Sequence, residues 1–186
     1  TTVDAYHHQY IIRAMELGCD VVTEKPMTID AEKCQAIYDA VQRTGKKLRV
    51  AFNYRFLPGA ELLRKLIMQG TIGEVVQVNL EYLLNTSHGA DYFRRWHREK
   101  DKSGGLMVHK STHHFDLVNW WLDAVPQTVF GFGRLAFYGA ENAKNRGVDA
   151  PYERYTGVPE AENDPFRLGL DRGKHFDELK ALYLDN

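Results

Sequence analysis

A lysine between a glutamate and a proline directly follows a short run of β-branched residues. Asp20-Val21-Val22-Thr23 has the composition of a buried parallel strand, and Glu24-Lys25-Pro26 comes next. Because ligands of open α/β sheets bind outside the carboxyl ends of the strands, the Lys25 ammonium can reach a substrate oxygen there. Glu24 can orient that ammonium, while Pro26 fixes the turn and permits a cis Lys25–Pro26 bond. A surface turn with a solvated lysine fits the same spacing and stays an alternative.

A second group of reactive side chains follows a pair of glycines. Ser103-Gly104-Gly105 precedes His109, His113, His114 and Asp116. A histidine can take the proton of an alcohol as a hydride leaves, which is the acid–base work of a dehydrogenase. The glycines let the backbone pass close to a ligand. Any one of these histidines alone is typical of a helix cap or a core residue, but their clustering favours a functional site.

A metal site is the main alternative for this cluster. His109 and His113 lie about one helical turn apart, so on a single helix they would share a face and could bind a metal ion. The sequence offers no clear third ligand, and we predict no metal. Cys19 and Cys34 are in neither a C-x-x-C nor a metal-type spacing, which predicts reduced, structural thiols.

The residues before Tyr54 alternate between helix and strand. Apolar spacing predicts helices over residues 6–17 and 31–43, each followed by a glycine, and strands over residues 20–23 and 48–52. A strand–helix–strand unit of this kind implies a right-handed parallel crossover. Two strands and two helices cannot bury the core of a doubly wound sheet, so we expect further strands before Thr1.

The spacing of apolar residues changes after Tyr54. We predict helices over residues 58–69, 113–122 and 175–183, and strands over 74–84 and 125–137. Residues 85–105 are polar and aromatic, as in a long loop over a cleft, and residues 138–172 read as a functional loop or an insertion. The second sheet is expected to continue beyond Asn186.

Composition narrows the class of partner. A net charge of -1 gives no reason to expect nucleic acid or an anionic membrane, and the basic residues at 94–100 are mixed with acidic ones. No apolar run approaches the roughly 20 residues that span a bilayer. We therefore predict a cytoplasmic protein, although the chain begins at Thr1 without an initiator Met and a targeting segment could precede it.

Taken together, these motifs resemble one known family. The matching pieces are His8, the segment from Gly18 to Pro26, Phe52-Asn53-Tyr54-Arg55-Phe56, Gly70-Thr71-Ile72-Gly73-Glu74-Val75, and Gly104-Gly105 with His113 and Asp116-Leu117. Over roughly residues 1–135 the chain resembles the Gfo/Idh/MocA oxidoreductases, the glucose–fructose oxidoreductase and inositol dehydrogenase group. The glutamate-lysine-proline segment is specific when it occurs with the other pieces.

The resemblance implies a fold and a reaction. The fold class is α/β: residues 1–54 would be the C-terminal part of a Rossmann-like parallel sheet that binds NAD or NADP. Residues 55–186 would be an α+β domain with a mostly antiparallel open sheet, through which homo-oligomers form. The reaction would pass a hydride between nicotinamide and a sugar, a polyol or a related cyclic alcohol.

The resemblance also implies roles for single residues. Lys25 would touch the reacting hydroxyl and the nicotinamide ribose, and His113 would be the general acid/base. Glu24 and Pro26 would shape the nicotinamide end of the cofactor site. The matching positions His8 and Arg55 are further expected cofactor contacts.

Two departures from the family pattern affect these roles. The glycine-rich phosphate loop of the family precedes Thr1, so we expect the chain as given to bind NAD(P) weakly. Where members often have an aspartate one helical turn before the catalytic histidine, this chain has His109, followed by Lys110. His109 is therefore a third catalytic candidate, and an anionic or hydroxyl-rich substrate would suit the pair. The expected substrate contacts are Lys110, His114, His97 and Trp96.

Two other functions stay open. A related enzyme could use its cofactor transiently, oxidising and re-reducing a glycoside so that the bond breaks by elimination. A non-catalytic sugar-binding or regulatory protein on the same fold would explain His109 and Lys110 as lost chemistry.

Overall fold

The computed structural model describes residues 2–85, 92–93, 95–147 and 159. The chain divides into two compact units, one of Thr1–Glu81 with Glu99–Val129 and one of Tyr82–Arg98 with Phe130–Asn186. The lysine and histidine segments that carry the expected chemistry lie in the first unit. The predicted domain boundary between residues 54 and 55 stays a prediction.

The N-terminal part of the first unit has the predicted alternation. A 3-10 turn over Asp4–Tyr6 leads into helix α1 (His7–Glu16), which is followed by strand β1 (Val21–Thr23), helix α2 (Ala31–Thr44) and strand β2 (Leu48–Val50). The two helices pack through Ile11, Met15, Ile37 and Ala40, all buried. These residues repeat at three- or four-residue spacing, which puts each pair on one helix face.

The ends of α2 follow from two residues that the sequence singles out. The Asp30 carboxylate accepts a hydrogen bond from the backbone N–H of Lys33 at 2.8 Å, as an N-cap does. Gly45 ends the helix with φ +65°, a left-handed conformation that glycine adopts without steric cost.

Strands β1 and β2 pair in parallel, as predicted. Their register joins Val21 to Leu48 and Thr23 to Val50, so both strands end at the same edge of the sheet. The segment that follows β1 therefore starts beside the segment that follows β2. This arrangement sets Glu24 and Lys25 at the carboxyl edge, where the sequence analysis expects them.

The remaining regular elements described in the first unit are helices and a 3-10 turn. A 3-10 turn over Asn53–Phe56 precedes helix α3 (Pro58–Met68), and three helices come later: α4 (Lys100–Ser103), α5 (Leu106–His109) and α6 (Thr112–Leu122). Helix α6 packs on α3, and the indole N–H of Trp121 donates to the carbonyl of Ala60 at 3.1 Å. In the second unit the described elements include a 3-10 turn over Trp96–Arg98 and helix α7 (Ala140–Asn145).

The second predicted sheet is not formed in the described residues. Neither 74–84 nor 125–137 has strand pairing there, and Val76 and Phe132 are 91% and 90% exposed. Alternation defines which side chains share a face, but a strand exists only when a neighbour supplies hydrogen bonds. The antiparallel open sheet thus stays a prediction.

Several smaller predictions concern the loops, the cysteines and the C-terminal part of the chain. The long loop predicted over 85–105 is wrong at its end, because residues 100–103 form α4. The helix predicted over 175–183 lies outside the described residues, as does most of 138–172. Both cysteines are free. Within the described ranges, no helix combines the length and apolarity that crossing a bilayer requires.

Candidate active site

Lys25 is held at the end of β1 by the backbone of a distant helix. The Lys25–Pro26 peptide bond is cis and the Pro26 ring is fully buried. The Lys25 ammonium donates to the backbone carbonyl of His109 at 2.8 Å. The lysine is half-buried, and burial lowers its pKa, as does the charge of Lys110, while Asp4 and Glu24 act in the opposite direction. Lys25 is thus not a solvated lysine on a surface turn, which was the alternative prediction.

Glu24 has a different partner from the one expected. Its carboxylate accepts a hydrogen bond from the backbone N–H of Lys25 at 3.0 Å. The glutamate therefore stabilises the turn, and the orientation of the ammonium comes from His109. The expectation that Glu24 orients the ammonium directly is wrong, because the exposed Glu24 carboxylate accepts its hydrogen bond from the adjacent backbone N–H.

A buried carboxylate lies next to His109. Asp4 Oδ2 is 2.5 Å from His109 Nδ1, and these residues are 4% and 8% exposed. The other ring nitrogen, Nε2, lies 3.4 Å from Lys25 Nζ. Asp4, His109 and Lys25 thus form one continuous series of polar contacts that runs from the buried carboxylate to the half-buried ammonium. Nothing in the sequence near Asp4 marked it as part of the site.

The histidine that approaches this cluster from α1 is His7. Its Nδ1 lies 2.9 Å from the Pro26 carbonyl, and its Nε2 lies 4.0 Å from Asp4 Oδ1. The residue expected from the sequence was His8, which is half-buried on the next face of the helix. Helical phase could have separated the two, because His7 shares the buried face with Ile11 and Met15. The cofactor role of His8 stays a prediction.

His113 is buried on the first turn of α6. Its ring stacks on Tyr54, with centroids 3.9 Å apart and planes 5° from parallel. Burial, followed by the charges of Lys25 and Lys110, lowers the pKa of His113 to about 4. The imidazole is therefore neutral near pH 7, with a lone pair that can accept a proton. Its Nδ1 is buried and has no hydrogen-bond partner in the described part of the chain.

Arg55 is tied to the last residue of the histidine motif. Its Nε donates to Asp116 Oδ2 at 2.8 Å and its Nη2 to Asp116 Oδ1 at 2.5 Å, which is a bidentate pair. The Arg55 guanidinium also lies 5.7 Å from the centre of the Trp120 ring. This pair joins the turn after β2 to α6 and so holds His113 in place. A cofactor contact by Arg55 stays a prediction.

Four residues were expected to contact substrate. Lys110 is buried, and its ammonium donates to the Tyr54 hydroxyl at 3.2 Å. Burial and then the charge of Lys110 lower the pKa of His114. Trp96 and His97 belong to the second unit, where their rings stack with centroids 3.8 Å apart. All four substrate roles remain predictions.

The metal alternative needs His109 and His113 on one helix, and this arrangement does not form. His109 ends α5 and His113 belongs to α6, with a break at Lys110 and Ser111. Among the residues that the structure describes, no three His, Cys, Asp or Glu side chains are placed to hold a metal ion.

The two glycines of the motif serve the packing of the protein itself. Gly104 has φ +72°, and a Cβ there would come within 2.9 Å of the Val108 side chain and 3.0 Å of the Ile29 carbonyl. Ser103 Oγ accepts from the Gly105 N–H at 3.0 Å and closes the turn. The observed close approach is that of Gly104 to Ile29, between β1 and α2, while the predicted approach of this backbone to a ligand stays a prediction.

Two protein-family models match the chain. One, described as "Oxidoreductase family, NAD-binding Rossmann fold", matches residues 1–52. The other, described as "Oxidoreductase family, C-terminal alpha/beta domain", matches residues 64–168. The second match alone covers more than half of the chain.

Individual relatives agree with these matches. The chain is 44% identical over 142 residues to "Putative oxidoreductase YteT" of Bacillus subtilis (strain 168), covering 76% of this chain and 33% of that protein. It is 34% identical over 123 residues to the inositol 2-dehydrogenase of Rhizobium meliloti (strain 1021), covering 66% and 35%. A solved levoglucosan dehydrogenase in complex with NADH and levoglucosan has a TM-score of 0.60 at 31% identity, covering 66% and 33%. The chain spans about a third of the length of these relatives.

Proposed function

Since this chain belongs to the Gfo/Idh/MocA oxidoreductase family, we propose that it takes part in the NAD(P)-dependent oxidation of a hydroxyl group on a sugar, a polyol or a related cyclic alcohol. One observation supports this most strongly: the Lys25 ammonium is held by the His109 carbonyl at the carboxyl end of β1. The inositol and levoglucosan dehydrogenases among its relatives support the substrate class.

The residues at this edge fit the nicotinamide end of NAD(P). Lys25 offers an ammonium that suits the ribose hydroxyls and the hydroxyl of a substrate. Thr28 Oγ1 and His113 Nδ1 are buried polar atoms without a hydrogen-bond partner in the described ranges. We assign Glu24 and Pro26 to the walls around the nicotinamide. NAD(P), when bound, accepts the hydride that leaves the substrate carbon.

The protein must take the proton that accompanies this hydride. Oxidation of a secondary alcohol to a ketone breaks one C–H and one O–H bond, and the O–H proton needs an acceptor. We assign that acceptor to His113, since the low pKa keeps its imidazole neutral near pH 7. Lys25 would hold the hydroxyl oxygen by donating to it.

Calorimetric titration with NADH and NADPH tests the cofactor assignment. It would be done on this chain and on the longest form of the protein that contains it. Binding to the longer form identifies the preferred cofactor. Binding to neither form contradicts the proposal and favours a non-catalytic sugar-binding or regulatory protein.

Turnover tests the catalytic assignments. Nicotinamide absorbance would be followed with inositols and anhydrosugars, for the wild type and for Lys25→Ala and His113→Ala. We expect each variant to lose about 100-fold or more in kcat while its circular dichroism stays unchanged. Near-normal turnover in either variant would remove that residue from the mechanism. Tightly held NAD without net NADH release would indicate the redox elimination of a glycoside instead.

We also infer a homo-oligomer that forms through the C-terminal domain. The support is the exposure of apolar side chains on the expected strands, including Val129 at 77% and Phe130 at 81%. Large exposed apolar surfaces usually mark an interface. Light scattering after size exclusion on the longest form would give the mass, and a monomeric mass would contradict this part.

A further inference from the structure

We propose that Asp4 is a positioning residue for the lysine of this site: it fixes the His109 ring so that Nε2 faces Lys25 as a hydrogen-bond acceptor. The Lys25 ammonium then donates to the ring and to the backbone carbonyl of His109, which hold it where it can donate to the substrate hydroxyl. This inference rests on the proposed oxidoreductase function for its catalytic consequence. Its structural part stands on the geometry alone.

The contacts of the cluster lead from Asp4 through the His109 ring to Lys25. Asp4 Oδ2 lies 2.5 Å from His109 Nδ1, and His109 Nε2 lies 3.4 Å from Lys25 Nζ. The Lys25 ammonium also donates to the His109 carbonyl at 2.8 Å, which holds it next to the ring. Both nitrogens of His109 are therefore engaged, one by a carboxylate and one by an amine.

The carboxylate determines which nitrogen carries the proton. An ionised carboxylate can only accept hydrogen bonds, so the proton of a neutral His109 belongs on Nδ1. Nε2 then has its lone pair directed towards Lys25. A protonated Asp4 would give the reverse arrangement, since it would donate to Nδ1 and leave the proton on Nε2. The two cases differ in a property that can be measured.

The cluster is built to keep Asp4 in place. Asp4 opens the 3-10 turn that leads into α1, and in the same turn Tyr6 N–H donates to the Val3 carbonyl at 2.9 Å. Three residues later His7 contacts the carbonyl of Pro26, the neighbour of Lys25. The start of α1 thus contacts the turn after β1 through His7 and the end of α5 through Asp4. Asp4 is 4% exposed, so water competes little for its carboxylate.

This positioning adds no second base to the reaction. When the substrate hydroxyl gives its proton to His113, an O–H bond breaks and an N–H bond forms on that imidazole. Lys25 keeps its own proton and donates to the hydroxyl oxygen, because His109 Nε2 and the His109 carbonyl hold the ammonium next to it. No oxidant beyond the bound NAD(P) is required.

The groups that face Lys25 have opposite effects on its charge. Asp4 and Glu24 raise the pKa of Lys25, and Tyr54 acts in the same direction. Burial and Lys110 lower it. Asp4→Asn removes the larger of the two carboxylate contributions, so the basic limb of the pH profile should move to lower pH. A merely structural role for Asp4 would not shift this limb.

The decisive measurement is the tautomer of His109 in the wild-type chain. Two-dimensional NMR that correlates ring carbon-bound protons with the imidazole nitrogens separates the two tautomers by their nitrogen shifts. The chain has eight histidines, and His109→Gln identifies the resonances of interest. We expect the proton on Nδ1. A proton on Nε2 would overturn the proposal, and this result needs no turnover.

Kinetics of the longest form test the consequence for the reaction. We expect Asp4→Asn to lower kcat by about 100-fold with little change in KM, and to move the basic limb of the pH profile to lower pH. Asp39→Asn on the exposed face of α2 is the matched control and should change neither. An unchanged kcat and pH profile in Asp4→Asn would refute the role of Asp4. If the protein shows no nicotinamide turnover at all, the proposed function fails while the tautomer still decides the positioning of His109.

Discussion

The Arg55–Asp116 pair should contribute far more to stability than the other arginine–aspartate pair near α6. Replacing Asp116 by Asn keeps the size of the side chain and removes its charge. One acceptor oxygen becomes an NH₂ group, and this donor then faces a guanidinium donor. The variant therefore loses a charged, bidentate contact and gains a repulsive one.

The contact distances and the burial of the pair determine how much stability the variant should lose. Asp116 makes two contacts at 2.8 and 2.5 Å, and its side chain is 8% exposed against 38% for Arg55. A hydrogen bond to a charged group contributes about 1.5–3 kcal/mol, and the partial exposure of Arg55 favours the lower half of that range. We expect Asp116→Asn to lower the free energy of unfolding by about 2 kcal/mol.

Arg64 and Asp123 provide the control. They make a single contact at 3.5 Å, and the Asp123 side chain is 76% exposed. Asp123→Asn should therefore cost less than about 0.5 kcal/mol. Urea unfolding of both variants, followed by tryptophan fluorescence to which Trp120 beside Arg55 contributes, gives the comparison. Equal losses in the two variants would refute the reasoning, because burial and bidentate geometry would then be irrelevant.

Two further predictions concern stability. Because the pKa of His113 is lowered to about 4, the folded state binds this proton less readily than the unfolded state. The stabilisation is complete above the unfolded pKa of about 6.5 and is lost as pH falls towards 4, on the order of 2 kcal/mol in urea unfolding. His113→Gln should flatten that dependence, and an unchanged slope would contradict the assignment. Gly104→Ala should cost about 2–3 kcal/mol, since it forces a left-handed conformation and a contact of 2.9 Å with Val108. Gly45→Ala, at a left-handed position where a Cβ would meet nothing within 4 Å, should cost only about 1 kcal/mol in the same assay, and a larger loss than in Gly104→Ala would contradict the reasoning.

Much of the N-terminal fold could be predicted because its signals are local. Asp30 and Gly45 mark the ends of α2, and the β-branched run before Glu24 marks β1. The parallel pairing follows from the helix that joins the two strands. The family assignment drawn from the motifs is confirmed by the two matching family models. Local signals were less useful for residues 74–84, because alternation cannot supply a partner strand.

Part of the candidate site was also accessible from the sequence. Lys25 lies at the end of a parallel strand, and a strand end of this kind is where ligands of such sheets bind. The contacts of His7 with Pro26 and Asp4 were not predicted, although the apolar positions Ile11 and Met15 mark the helix face on which His7 lies. The sequence showed that His109 departs from the family pattern, but it did not show that Asp4 is its partner.

The sequence by itself determined the strand that presents Lys25, the turn that follows it and the glycines that let α5 approach. Only the tertiary structure decided that Asp4 meets His109, a contact between residues 105 positions apart. It also decided that Arg55 holds Asp116, across 61 positions. Local patterns specify backbone conformation and the buried face of a helix, because both depend on neighbours within one or two turns. Contacts between distant side chains, and the burial that lowers the pKa of His113, depend on how the helices pack, and no short segment contains that information.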